Sequence, residues 1–112
     1  MKETSPYDCK EADNRAAWKR LPPCCQHFIR TIQNRIQEEV DKKNPSKFRA
    51  TSGFRAETVN RRYNGATESL HRLGMARDFV PVDGIFADSP VVDCNYFRVI
   101  RSPRCWHIEV IV

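Results

Sequence analysis

The chain has 112 residues, 40% of them hydrophobic and 29% charged, with a formal net charge of +5. That length suits one domain with a modest core, and no apolar run approaches the roughly 20 residues of a membrane span, so no stable membrane insertion is expected. The basic residues are interleaved with carboxylates and accompany no finger, basic-zipper or aromatic sheet motif, so nucleic acid is not the expected partner.

Residues 1–23 form a polar N-terminal segment closed by Pro22-Pro23, within which a short helix is predicted from Ala12 to Arg20 with Trp18 as its anchor. The start is polar and carries no apolar h-region, so no cleavable secretory signal is read. From Cys25 to Lys43 the pattern is helical, with Phe28, Ile29, Ile32, Ile36 and Val40 making one apolar stripe. Asn44-Pro45 stops that helix. His27, near its start, is read as a capping or surface residue.

Phe48 to Ser52 alternates as a strand and is closed by Gly53. A short helix is predicted over Ala56 to Arg62, and a turn at Asn64-Gly65. Met75 to Val82 is the second strand, Phe97 to Arg101 the third and Cys105 to Val112 the fourth, with the last two joined as a hairpin around Ser102-Pro103. One domain over 1–112 is expected, its long helix at 25–43 and its motif-bearing core at 48–112. A long helix followed by strands gives an α+β fold: a small, mostly antiparallel sheet with helices packed on one face.

Five cysteines, an odd number, stand at 9, 24, 25, 94 and 105 without any C-x-x-C pair. This argues for reduced thiols, most of them serving as small apolar residues, and against a four-thiolate metal site.

The chemistry gathers elsewhere. Alternate strand residues share a face, so Asp78 on the second strand and His107 on the last can converge if those strands are neighbours. His71 would then come from the loop leading into the second strand, with Gly74 allowing a tight turn. Two imidazoles and one carboxylate form the ligand set of an open zinc site, whose fourth position is left for water. Manganese and iron accept similar donors. Trp106 points away from the His107 face and is expected in the core, while Cys105 is expected near the site but outside the ligand set.

The His71–Asp78 pair is embedded in Ser69-x-His71-x-x-Gly74-x-Ala76-x-Asp78. It is preceded by Thr51-Ser52-Gly53-Phe54-Arg55 and followed by Trp106-His107-Ile108-Glu109-Val110. From about Thr51 to Val112, including Val59-Asn60 and Gly65-Ala66, this combination resembles the zinc D-Ala-D-Ala carboxypeptidase family of peptidoglycan peptidases. That family includes L-alanyl-D-glutamate endopeptidases of bacteriophage lysis and shares its fold with the hedgehog signalling domain. The resemblance implies one zinc ion held by His71, Asp78 and His107, and a substrate-binding arginine at Arg55. It also implies a positioning or substrate-side role for Ser69.

In many members an acid three places before the last histidine is the general base; Arg104 stands there in this chain. Glu109 is the first substitute, on the His107 strand face, with a role in orienting a ligand as the competing reading; Asp83 and Asp93 are less specific candidates. The expected function is a zinc peptidase acting on peptidoglycan stem peptides. The expected form is a monomer made in the cytoplasm, which reaches the wall after release if phage or prophage encoded. A non-catalytic zinc-binding module of the same fold is the alternative.

Overall fold

The computed structural model describes residues 5–62, 71 and 73–111. The predicted turn at Asn64-Gly65 and the motif residue Ser69 lie outside the described residues. Three helices and four strands follow in the order α1 (Ala12–Arg20), α2 (Pro23–Lys43), β1 (Phe48–Ser52), α3 (Glu57–Arg62), β2 (Ala76–Pro81), β3 (Phe97–Arg101) and β4 (Trp106–Val110). Helix α2 starts two residues before its predicted point. Pro23 takes the first helical position, where its fixed φ is already helical and its missing N–H would have had no partner.

The strands form one sheet in the order β1-β2-β4-β3, every neighbouring pair antiparallel. The fold is therefore α+β, as expected. Strand β4 passes between β2 and β3, which sets Asp78 directly across from His107 and Ile100 on the other side of His107.

One sheet face is covered by α2. Ile36 and Val40 from the helix meet Phe79, Phe97 and Ile108 from three strands, all nearly or fully buried. Side chains of this size contribute about 1.5–3 kcal/mol each on leaving water. A second, smaller cluster of Trp18, Ile29 and Phe54 joins α1 and α2 to the segment after β1.

The predicted stripe on α2 needs correction. Phe28 is 54% exposed and outside the core, while Gln33 and Gln37 are buried among Ile29, Ile36 and Val40. The helix has turned toward these amides because Arg77 lies buried beneath it on β2. Arg77 Nη1 donates to Gln33 Oε1 and to the Ser5 carbonyl, and its Nε donates to Gln37 Oε1, all at 3.0 Å. Burial pushes the Arg77 guanidinium down to about 10, partly offset by the charge of Asp41. Gln33 Nε2 in turn donates to the carbonyls of Gly74 (2.6 Å) and Ala76 (2.9 Å), stapling the entry of β2 to the helix.

Two other readings change. Cys9, Cys24, Cys25 and Cys94 are exposed, so the cysteines do not serve as core residues; Cys105 alone is half-buried. Trp106 is half-buried, because it lies at the end of β4 and packs beneath the Arg101 guanidinium, 5.2 Å from its ring centroid.

Candidate metal centre

The face of the sheet away from α2 carries the residues with metal-binding chemistry. Asp78 and His107 project from adjacent strands at a paired position. His71 arrives from the segment before β2, which turns back through Gly74 at a φ of +71°. A side chain at Gly74 would also run into Ile29 of α2, so this position needs glycine twice over.

His71 Nε2 lies 2.9 Å from Asp78 Oδ1 and 3.0 Å from His107 Nδ1, and His107 Nδ1 lies 3.2 Å from the same Asp78 oxygen. His71 and Asp78 are buried and His107 is half-buried, and their ligand atoms form a group able to hold a metal ion.

The outer partners decide what those three atoms offer. His71 Nδ1 lies 2.8 Å from the Gly53 carbonyl. A carbonyl only accepts, so Nδ1 carries the proton and Nε2 presents a lone pair. His107 Nε2 lies 2.8 Å from Glu109 Oε1, which likewise takes its proton and leaves a lone pair on Nδ1. Asp78 Oδ1 is a carboxylate oxygen. Three lone pairs thus meet within hydrogen-bond distance with no proton assigned between them. That arrangement repels itself unless a cation sits among the donors, either a metal ion or a proton on His107 Nδ1. Tetrahedral zinc with bonds of about 2.0–2.2 Å would space its donors by about 3.3 Å, close to the observed edges.

Local electrostatics differ between the two rings. Burial holds the His71 imidazole below its usual range, outweighing the pull of Asp78, so it stays neutral as a ligand must. For His107 burial acts in the same direction, but the hydrogen bonds and charges of Asp78 and Glu109 outweigh it and raise the ring. Burial alone would raise Asp78; the adjoining His107 and His71 rings and the charge of Arg55 overcome it and keep the carboxylate ionised.

The other oxygen of Asp78 is also committed. Oδ2 accepts from Arg55 Nη2 (2.8 Å) and from Ser52 Oγ (2.9 Å). A bulge in β1 makes this fit. Ala50 pairs with Phe79 but Ser52, not Thr51, pairs with Asp78. Arg55 also reaches Asn60 Oδ1 and Ser52 Oγ, each at 3.4 Å. Arg55 is therefore tied to the ligand shell while lining the cleft beside it.

That cleft has a volume of about 1000 Å³. One wall is Asp8, Thr51 and Ser52, and the other is the β3–β4 hairpin with Ile100, Arg104 and Cys105. A scan against family models matches residues 9–93 to peptidase M15. The chain belongs to the peptidase M15 family. The M15 match includes Arg55, His71 and Asp78 and stops before His107, which the sheet register brings to the same point. No curated protein and no solved structure gives a match.

Within this M15 domain, the structure places the predicted residues unevenly. His71, Asp78 and His107 come together, and Arg55 stands beside them. Glu109 lies behind His107 and is not part of the cleft wall, because its oxygen is turned to His107 Nε2. Asp83 accepts the Ile85 amide and Asp93 the Asn95 amide, each within its own turn, and neither lines the cleft. Cys105 lines the cleft as expected, its thiol raised by burial and by Asp78. Sequence reasoning missed Ser52, whose motif was noticed without its role. It also missed Asp8, carried to the cleft by a segment that shows no pattern of its own.

Proposed function

We propose that this domain is a zinc-dependent peptidase that hydrolyses peptide bonds in the stem peptides of peptidoglycan. The observation that carries the reading is the meeting of three lone pairs from His71, Asp78 and His107 in a family of peptidases. When bound there, the ion supplies Lewis-acid polarisation of the peptide carbonyl and acidification of water.

The protein's own residues do the rest. Gly53 and Glu109 hold the two imidazoles in the tautomers that face the ion. Arg55 keeps Asp78 ionised and places its positive charge in the cleft wall, beside the substrate carbonyl where negative charge develops. Glu109 orients His107 and does not act as the base. Asp8 is the carboxylate of the cleft, among the described residues, that no ligand role occupies; we assign it the proton passed to the leaving amine. The positive net charge draws the protein to the anionic wall after release from the cell that makes it.

The test is release of new amino groups from purified peptidoglycan by the zinc-loaded protein. Activity is expected to disappear with a chelator, return with zinc, and be absent from His71→Ala. No release from fully zinc-loaded protein rejects hydrolysis. A second reading, a zinc-binding module without turnover, is favoured by Arg104 at the place of the usual acid and by Glu109 facing away from the cleft. A wild type that hydrolyses and an Asp8→Asn variant that does not would reject it.

A further inference from the structure

Arg77 is 4% exposed, and among the described residues no carboxylate pairs with its charge. Asp41 acts on it only through space, and both Asp41 oxygens accept from Gln37 Nε2, at 3.0 and 3.2 Å. A guanidinium has five N–H groups. Three of them go to Gln33, Gln37 and Ser5. The pair on Nη2 has no acceptor among the described residues. Nor is Nη2 sealed in, since Trp106 Nε1 is the only fully buried side-chain nitrogen or oxygen without a partner among those residues.

Arg77 lines a groove of about 550 Å³ between the N-terminal segment and β1, together with Tyr7, Gln37 and Arg49. Arg49 brings a second positive charge to it. Strand β1 is the edge of the sheet and pairs with β2 on one side only. The N-terminal segment joins beyond the end of the strand, where Tyr7 bridges Phe54 in parallel. Along the groove the outer side of β1 is therefore unpaired among the described residues, and such an edge is a template for an added strand. The groove is also continuous with the metal cleft, because Asp8, Thr51 and Ser52 line both.

We propose that this groove is a second peptide-binding site, which takes an extended acidic peptide with its backbone on the β1 edge and a side-chain carboxylate on Arg77. The inference rests on the peptidase reading for what that peptide is: the part of a substrate remote from the scissile bond, reaching the groove from the metal cleft over Thr51 and Ser52. Charge selects the acid. A buried cation with two open donors is stabilised far more by an anion than by an amide or an apolar group. Asp8, at the junction of the two grooves, repels a second carboxylate there and sorts it toward the Arg77 end.

Calorimetry on the zinc-loaded protein tests this, with mass spectrometry checking that the probes stay intact. The probes are an acetylated and amidated hexapeptide of alanine and serine with one central glutamate, its glutamine counterpart, and acetyl-glutamate amide. The glutamate peptide is expected to bind roughly ten-fold more tightly than the glutamine peptide, and more tightly than acetyl-glutamate amide. The preference for glutamate should vanish in Arg77→Met and persist in part in Arg77→Lys, which keeps the charge. Hydrogen exchange on the wild type reads the strand edge whatever the variants do: the glutamate peptide should slow exchange of the amides at 48–52. Equal affinities for the two peptides, a preference that persists in Arg77→Met, acetyl-glutamate amide binding as tightly as the peptide, or unchanged exchange in β1 overturns the proposal. A preference that depends on Arg77 in a protein that releases no amino groups from peptidoglycan would reject the peptidase reading and leave the groove standing. Release without such a preference would do the reverse.

Discussion

Arg77 and Asp78 are neighbours in one strand, yet they point to opposite faces of the sheet and into opposite kinds of polar cluster. Beneath α2, Arg77 donates to Gln33, Gln37 and Ser5, and each of these acceptors is a carbonyl or amide oxygen. On the open face, Asp78 meets two imidazole nitrogens that have given their protons elsewhere. The first cluster matches acceptor to donor within the protein. The second is complete only with a cation. Burial alone does not separate the two, since Arg77 and Asp78 are both buried; the matching of donors to acceptors does.

The comparison can be broken most severely at Asp78. Asp78→Ala leaves Arg55 buried without its carboxylate and removes a ligand, so a stability loss of about 3–5 kcal/mol is expected in urea unfolding. Zinc should then no longer raise the midpoint. Arg77→Met attacks the other cluster. It strands the Gln33 and Gln37 oxygens and should cost about 1–3 kcal/mol, while zinc still binds with a stoichiometry of one by equilibrium dialysis. If Arg77→Met abolished zinc binding as completely as Asp78→Ala, the two faces would not be separable. The smallest effect is expected at Glu109→Gln. Its amide oxygen still accepts from His107, but without charge, so zinc affinity should fall about 10–100-fold with little change in the stability of the metal-free protein. An unchanged affinity would remove Glu109 from the site.

Much of the fold was legible. Helix α1, strand β1 and strand β3 have the predicted ends, because period, proline and turn residues agree there. The meeting of Asp78 with His107 followed from strand alternation once the strands were taken as neighbours. What escaped has a physical pattern. Gln33 and Gln37 lie on the buried face of α2, but an apolar stripe is blind to amides, and Phe28 looked like core because nothing in the sequence announces Arg77 beneath the helix. The direction of Glu109 was hidden because a carboxylate two residues after a histidine on one strand can face a cleft or the ring beside it. Asp8 was invisible because its place depends on the path of the N-terminal segment, fixed by the Phe54 amide on the Pro6 carbonyl and the Tyr7–Phe54 bridge.

The two histidines are oriented by different kinds of acceptor, and this has a consequence for how the site can change. Glu109 is a side chain, so a single codon can weaken, remove or exchange the group behind His107. The acceptor behind His71 is the main chain at Gly53, which every amino acid possesses. No substitution deletes that oxygen; it can only be moved, by altering the route of the backbone, and Gly53 is packed so closely against Gln33 and Pro6 that even a methyl group would force such a shift. One half of the site is thus written in the sequence and open to drift. The other half is written in the chain's course and is inherited by any variant that keeps it.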